Sequence, residues 1–408
     1  MTNKGSEIKM KFDQVKDVVS KAVSETLGDT YMNESGLLQA TESYRIADVG
    51  EAIVNAGSTE PFTKALISQL AYLEIIEPSF NKSIKSLEVS NFEWGGFVER
   101  AYFGLADVID DPMYNLINGN DYSSIEHKAY IPAVNVKIFE EGKNLCIPLT
   151  IQEDTLKEAF KSWGELNRYV TGLRSTIRNT KNIALYNMEK MLVSCGCAVS
   201  ISSNALNNAV HLITEAIADG IVPNTVTSYA DIIALGPVAH RAFLVYCAKT
   251  IANTRSQLEE LSSAYNNGTV PTMDEAKLLL ISKFAKDFRF NMEASTFNDE
   301  KLGFGDYEEI TSWQAIKDTG KDAFDFDTIT TVSIDADSNN KLGIGTSAFS
   351  KSGIVGLAWQ NKAMGICLER VKMTSNYTAC ADFWNEFLHI LMNYILDTTL
   401  GIVAFVLD

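Results

Sequence analysis

The strongest hydrophobic pattern in the chain is a stripe of apolar residues at helical spacing. Its members are three, four or seven residues apart: Ala159, Trp163, Leu166, Val170, Leu173, Ile177, Ala184, Met188 and Met191. Side chains at these intervals share one face of an α-helix. The pattern predicts a helix over 152–195, roughly 60 Å long, that Gly164 or Gly172 could bend and Gly196 ends. A single stripe on so long a helix is typical of a spine with the rest of the fold packed along one side.

Between residues 83 and 139 the period changes from helical to alternating. Leu87 and Val89 alternate with polar neighbours, and later Val134, Val136 and Ile138 alternate with their neighbours. The two alternating arms enclose a polar stretch over 104–130. This pattern predicts a long β-excursion with an irregular tip, too long for a simple hairpin loop, and segments of that size are usually functional or bound to a partner.

Large aromatic residues are concentrated on this excursion. Side chains of this kind most often belong to a core, but a projecting segment has no core of its own to fill. A partner subunit is therefore the natural acceptor. The candidates for a subunit interface, including one residue of the spine, are Phe92, Trp94, Phe97, Tyr102, Phe103 and Trp163.

The rest of the chain mixes helical and extended patterns. Helical spacing predicts helices over 8–27, 45–55, 60–73, 205–218, 238–255 and 273–284. Alternation and short apolar runs predict strands over 231–235, 353–359, 363–368 and 402–407, whereas 379–396 could be helical or extended. Together these patterns predict an α+β fold.

Composition limits the class of protein but indicates no chemistry. The 408 residues include 46% apolar ones, which excludes wholesale disorder, and 52 acidic against 35 basic residues give a net charge of −17. Such a surplus argues against a dedicated nucleic-acid binder. Six scattered cysteines predict free thiols in a reducing compartment. We expect no signal peptide and no membrane span.

The negative charge is concentrated in residues 299–340, where eleven acidic residues and three lysines give −8. A solvated acidic face is the default interpretation, with weak cation binding left open. Asp335, Asp337 and Asn339 have the spacing of an EF-hand loop, but Asn340 and Thr346 occupy positions that need glycine and glutamate, so an EF-hand is rejected.

Other candidate chemistry is weak. Cys195 and Cys197 resemble half of a zinc site without a second pair of ligands, and core packing is the better interpretation. The glycine-containing run 341–347 has its lysine before the glycines, which favours a turn between strands over a phosphate loop. The four histidines are isolated. We therefore predict no catalytic residue, no metal and no cofactor.

Against this background, several segments resemble one known family. The run 150–164 (TIQEDTLKEAFKSWG), continued by 186–193 (YNMEKMLV), closely resembles the start of the spine helix in the major head protein of small short-tailed phages with protein-primed DNA replication, the picovirus group. Weaker likenesses to the arm, the passage from arm to body and the last elements of that family lie at 11–16, 46–50, 383–387 and 403–406.

The resemblance implies a Hong Kong-97-like phage capsid fold with five parts. These are an N-terminal arm over 1–82, an extended β-loop over 83–148, a peripheral domain with the spine helix over 149–200, an axial domain over 201–368 and a return to the peripheral domain over 369–408. The best-known member of the family carries an additional immunoglobulin-like domain, which we expect to be absent here.

The implied function is that of a major capsid protein without enzymatic activity. It would assemble with itself as pentamers and hexamers into an icosahedral or elongated head enclosing double-stranded DNA, with no sequence-specific binding. The excursion would lie over a neighbour's spine helix, with the arm alongside. Scaffolding, portal and head-fibre proteins would be its partners. Assembly would take place in the host bacterial cytoplasm, and the assembled protein would be located in the virion capsid. The alternatives are an intracellular α/β hydrolase and an encapsulin-like nanocompartment shell.

Overall fold

A computed structural model describes residues 82–87, 98–103, 129, 134–139, 142–152, 163–260, 265, 276–293, 306–315, 324–378, 380 and 383–408. These residues fall into two compact units. The first takes in the described residues of Lys143–Tyr186 and Leu368–Met392, and the second those of Ile84–Gly142, Asn187–Cys367 and Asn393–Asp408. The helices predicted before residue 80 lie outside the described residues.

The predicted spine is one continuous helix, α1, Trp163–Ile201. Its 39 residues give a length of about 58 Å at 1.5 Å per residue. Residues 153–162 lie outside the described residues, and Gln152 ends a strand rather than starting the helix. The prediction that Gly196 ends the helix is wrong. A Cβ at Gly196 would lie 2.7 Å from the Met364 sulfur, so glycine lets the buried end of the helix approach its neighbours closely.

The first unit contains most of a three-stranded sheet with strand order β10-β11-β3. Its strands are β3, Gly142–Gln152; β10, Met364–Thr378; and β11, Phe383–Leu396. Burial alternates along most of β11, which settles the open interpretation of 379–396 in favour of an extended strand. The Thr150 hydroxyl donates to the Asn385 side-chain oxygen at 2.7 Å, and the rings of Tyr377 and Trp384 lie 4.3 Å apart.

The core of the second unit is a five-stranded mixed sheet with order β4-β12-β9-β5-β6. The strands are β4, Val210–His211; β5, Lys277–Ile281; β6, Glu308–Ile310; β9, Ile354–Trp359; and β12, Ile402–Val406. β9 is antiparallel to both β12 and β5, while β4 and β6 pair in parallel at the two edges. Every residue of β9 and β12 is buried, so both faces of the sheet are covered.

Helices of the second unit support this sheet. They are α2, Leu212–Ala218; α3, Tyr229–Ala234; α4, Pro237–Glu259; α5, Ser282–Glu293; and α6, Phe326–Thr330. A small hairpin joins β7, Val332–Ile334, to β8, Phe349–Lys351. The run 341–347 lies in the connection of this hairpin, as the turn prediction required.

Three short predictions in this region need correction. Of the strand predicted over 231–235, residues 231–234 belong to α3 and Leu235 is the C-cap of that helix. The start of α3 is fixed by a capping box between Ser228 and Asp231. In the described part of the helix predicted over 273–284, residues 277–281 form strand β5 and α5 begins at Ser282. Only the last part of 205–218 is helical. The α+β class, the helix after residue 237 and the strands at 354–359 and 402–406 are confirmed.

The second arm of the predicted β-excursion is confirmed as β2, Val134–Phe139, which pairs antiparallel with β1, Val98–Phe103. We call this pair the ribbon. The first arm, predicted at Leu87 and Val89, is not confirmed, because residues 85–87 form a turn and Val89 lies outside the described residues. Within the described residues, no helix combines the length and the apolarity that crossing a membrane requires.

Candidate functional site

The register of the ribbon sorts its side chains into two faces. Arg100 lies opposite Lys137, and Tyr102 lies opposite Asn135. Because directly opposed residues share a face of an antiparallel pair and alternate residues point to opposite faces, these four residues define one face, which we call the inner face. The residues between them define the outer face.

The outer face is largely apolar and open to solvent, with Glu99 as its one charged residue. Val134, Val136 and Ile138 are 55%, 47% and 57% exposed, and Glu99 and Ala101 on the partner strand are exposed as well. Three large aliphatic side chains at successive outward positions form a continuous strip. An apolar strip on a two-stranded pair of this kind marks a surface that another chain covers.

The inner face, in contrast, converges on one buried carboxylate of the same unit, that of Asp397, whose side chain is 0% exposed. The Tyr102 hydroxyl donates a hydrogen bond to this carboxylate. Arg100 Nη1 lies 3.5 Å from one carboxylate oxygen and Lys137 Nζ lies 3.6 Å from the other. Burial lowers the pKa of the Lys137 ammonium.

Asp397 follows directly after β11 and is held by its own surroundings. Its backbone N–H donates to the Ala363 carbonyl at 2.8 Å, and one of its carboxylate oxygens accepts the Thr399 backbone N–H at 2.9 Å. Lys137 also donates to the Thr398 hydroxyl at 3.1 Å. The turn after β11 thus presents a fixed carboxylate to side chains from both strands of the ribbon.

A second exposed surface lies on the part of α1 in the first unit. Gly172, Thr176, Thr180 and Ile183 are exposed and recur at intervals of four, four and three residues, so they share a face. None of the four carries a charge, and a Cβ at Gly172 would meet no other atom within 4 Å. Solvated helix faces usually carry charged residues, so this face also has the composition of a contact surface.

The second unit also has an open cleft of about 830 Å³ lined by residues of α3, α5 and α6. At its base the Tyr229 hydroxyl donates to the Asp287 carboxylate and lies 2.9 Å from His240 Nε2. Burial, followed by the bond to Asp287, raises the pKa of the Tyr229 hydroxyl. The cluster therefore keeps a neutral phenol inside a hydrogen-bond network, which suits a structural role.

Asp408, on the wall of the same cleft, is bound to Lys351 and His211. Burial works to raise the pKa of its carboxyl, but the hydrogen bonds from Lys351 and His211 outweigh burial and leave that pKa below its usual value. A general acid needs a raised carboxyl pKa, so this carboxylate has the properties of an ion-pair partner instead.

The thiols and acidic groups singled out in the sequence have structural surroundings. Burial raises the pKa of Cys195 to about 11, and raises that of Cys197 as well, with both residues in the last turns of α1. The Asp337 carboxylate accepts backbone N–H groups of Asn339 and Lys341 in its own loop. In the described part of the chain, no group of three or more His, Cys, Asp and Glu side chains could hold a metal ion.

The six interface candidates have different outcomes. Phe92, Trp94 and Phe97 lie outside the described residues. Phe103 and Trp163 lie at the end of β1 and at the start of α1, and their side chains are not among those described. Tyr102 bonds to Asp397 of its own chain. Their role in a subunit contact stays a prediction.

Sequence reasoning missed the two features that define the ribbon. The alternation of Val134, Val136 and Ile138 was recognised, but only the register with β1 shows that these residues point away from the body. No pattern in the sequence singled out Asp397. One signal was available, since a lone aspartate directly after a long strand often begins a turn.

Comparison with known proteins gives a family. The model of the Phi29-like phage major capsid protein family matches residues 21–406. The major capsid protein of Bacillus phage PZA is 26% identical over 181 residues, which cover 43% of this chain and 38% of the PZA protein. The major capsid protein of Bacillus phage B103 is 23% identical over 152 residues, covering 36% of this chain and 32% of that protein. The chain thus aligns with well under half the length of these relatives.

Similar solved structures come from phage heads. One is a chain in the capsid of Staphylococcus phage Andhra, with a TM-score of 0.47, 10% identity and coverage of 83% of this chain and 89% of that chain. Another is a chain in the structure of the head fibre and inner core protein of native bacteriophage P68, with a TM-score of 0.49, 13% identity and coverage of 83% and 90%.

Proposed function

Because this chain belongs to the Phi29-like phage major capsid protein family, we propose that it assembles with copies of itself into the shell of a phage head. The copies form pentamers and hexamers of an icosahedral or elongated head that encloses double-stranded DNA. The fold is Hong Kong-97-like, with the spine helix and the ribbon as its characteristic parts. The family name identifies a structural protein, and we propose that the chain has no enzymatic activity.

The observation that carries this proposal is the polarity of the ribbon. The charged side chains of its inner face, Arg100 and Lys137, pair with Asp397 of its own chain, whereas the aliphatic side chains of its outer face lie in solvent beside the exposed Glu99. A solitary globular protein gains nothing from this arrangement, since burying apolar area stabilises and exposing it does not. The arrangement becomes favourable when a second chain covers the outer face.

The partner surface we propose is the uncharged face of α1 on a neighbouring copy. The aliphatic strip of Val134, Val136 and Ile138 would lie on the helix face that carries Gly172 and Thr176. Small residues allow close approach, and an uncharged helix face adds no further ion to the contact. The N-terminal arm would run alongside, as the family resemblance implies.

The acidic region has a matching role in this proposal. Four acidic residues there, Asp306, Asp325, Asp327 and Asp335, are exposed, whereas the Glu309 carboxylate pairs with Arg289. A shell has to enclose DNA without binding its phosphate groups tightly, and an acidic or neutral inner wall achieves this. DNA would therefore be packaged inside the shell without being bound as a sequence-specific ligand.

The remaining parts of the proposal rest on family membership. Scaffolding, portal and head-fibre proteins are the proposed partners, the virion capsid is the proposed location, and the host bacterial cytoplasm is the proposed place of assembly. The encapsulin-like alternative differs in its cargo. Particles purified from host cells would contain protein rather than DNA if that alternative held.

The test compares two substitutions at one position of the outer face. Val136→Asp places a carboxylate in the proposed contact and should lower the yield of particles, counted by electron microscopy, by about tenfold or more. Val136→Leu keeps the position apolar and should assemble like the unchanged chain. Normal particles from Val136→Asp, or no particles from the unchanged chain with its scaffold, would contradict the proposal.

A further inference from the structure

The ribbon places two cations directly opposite each other. Arg100 and Lys137 are cross-strand partners on the inner face, and like charges in directly opposed positions destabilise an antiparallel pair. The two cations flank the Asp397 carboxylate, each on a different oxygen. The anion between the two cations therefore offsets their repulsion.

We infer that Asp397 is a positioning residue that determines which face of the ribbon points outward. Its carboxylate binds Arg100, Lys137 and Tyr102 and so holds the aliphatic strip toward solvent, where a second copy can cover it. This inference rests on the proposed assembly function and names the residue that prepares the assembly surface for it.

The carboxylate can discriminate between the two faces because it is fixed independently of the ribbon. Asp397 receives the Thr399 N–H and donates its own N–H to Ala363, both within the body of the unit. Arg100 also donates a hydrogen bond to the Lys362 backbone carbonyl, which gives the ribbon a second contact with the body of the unit. The ribbon thus docks against a preformed acceptor rather than against a flexible side chain.

The opposite orientation of the ribbon would be strongly disfavoured. A shift of one residue reverses the faces of a strand, so Val136 and Ile138 would meet the carboxylate and both cations would leave it. A buried carboxylate without a partner is among the most destabilising groups in a protein interior. One ionised side chain is therefore enough to select the orientation.

Asp397→Asn tests the inference because it keeps the shape of the side chain, removes its charge and replaces one acceptor oxygen by an NH2 group. Arg100 and Lys137 would then be opposed with no anion between them, and the ribbon would leave its docked position. A detached two-stranded pair is only marginally stable in water. Amide hydrogen exchange in residues 98–103 and 134–139 of the unassembled chain should accelerate by about tenfold or more.

The matched control is Asp287→Asn. Asp287 also accepts a tyrosine hydroxyl, that of Tyr229, in the same unit but away from the ribbon. This control should leave exchange in the ribbon unchanged. The strands β9 and β12 should keep their slow exchange in both variants, which verifies that the body is folded.

A rescue distinguishes positioning by charge from a general structural role. Adding Lys137→Gln to Asp397→Asn removes one of the two opposed cations and should restore part of the protection in the ribbon. If Asp397→Asn unfolds the body, the double variant Arg100→Gln with Lys137→Gln, altered only on the ribbon, should give the same fast exchange in the ribbon with β9 and β12 protected.

The outcomes separate this inference from the assembly proposal. Unchanged exchange in the ribbon of Asp397→Asn would overturn the inference, as would fast exchange together with a normal yield of particles. Fast exchange with few particles, and recovery of protection in the rescue variant, supports it. If the unchanged chain forms no particles, the assembly proposal fails and the hydrogen-exchange comparison still decides whether Asp397 holds the ribbon.

Discussion

The ribbon and the central sheet of the second unit use the same aliphatic residues in opposite ways. β12 reads IVAFV and every residue is buried, whereas Val134, Val136 and Ile138 in β2 are about half exposed. The central strands are covered on both faces by their own chain. The ribbon has only one face covered, and that face carries its two cations, Arg100 and Lys137.

This difference separates two tasks of the chain. Apolar residues of the central sheet stabilise the folded subunit, because they leave water when the chain folds. Those of the ribbon remain in water until a second copy arrives, so their contribution belongs to association. Substitutions in the two regions should therefore change different measured quantities, and the following predictions test this, from the largest effect to the smallest.

The largest effect is expected in the central sheet. Phe405 is fully buried in β12, and Phe405→Ala should lower the free energy of unfolding by about 3–5 kcal/mol, because the lost transfer energy adds to that of the cavity. A urea titration of the unassembled chain, followed by fluorescence with Trp313 and Trp359 buried in the same unit, measures it. A loss below about 1 kcal/mol would contradict a tightly packed sheet.

A matched pair of substitutions compares the two regions directly. Val403→Thr in β12 buries a hydroxyl and should cost about 1–3 kcal/mol of unfolding free energy. Val136→Thr makes the same chemical change on the outer face and should stay within about 0.5 kcal/mol in the unassembled chain. Equal losses at the two positions would remove the distinction between the regions.

The smallest effect concerns pH and the end of α1 that packs beneath the sheet. Burial raises the pKa of Cys195 to about 11, from the 9.0 of an unperturbed thiol. Above pH 9 the unfolded chain loses this proton while the folded chain keeps it. The stability contribution is therefore complete below pH 9 and is lost as the pH rises toward 11. Between pH 8 and 10 the unchanged chain should lose about 1 kcal/mol more than Cys195→Ala.

Urea titrations of the unchanged chain and of Cys195→Ala at pH 8 and at pH 10 measure this difference. Parallel losses in the two proteins would show that the thiol ionises as readily in the folded chain as in the unfolded one. The same result would place that end of α1 in contact with water.

The sequence predicted the elements whose signal is local and long. The stripe from Leu173 to Met191 identified α1, and the runs at 354–359 and 402–406 identified two central strands. Prediction from the sequence failed where a short apolar run fits both a strand and a helix. Leu278, Leu279, Leu280 and Ile281 are consecutive and apolar, and such a run suits a buried strand as well as a helix.

It also failed where tertiary packing overrides a local preference. Gly196 is a poor helix residue, yet the helix continues through it, because packing against Leu357 and Met364 leaves no room for a side chain. The capping signal at Ser228 and Asp231 was present in the sequence, but the apolar pair Ile232 and Ile233 suggested a strand instead.

The sequence by itself determined the class of fold, the spine helix and the family. The periodicity of helices and strands, and the segment 150–164 that carries the family resemblance, depend only on residues that are neighbours in the chain. Only the tertiary structure decided the polarity of the ribbon. Arg100, Lys137 and Asp397 are separated by up to 297 positions, and nothing local links them. The face of a strand that points to solvent depends on contacts with residues distant in the sequence. Here the deciding contact is with the buried carboxylate of Asp397.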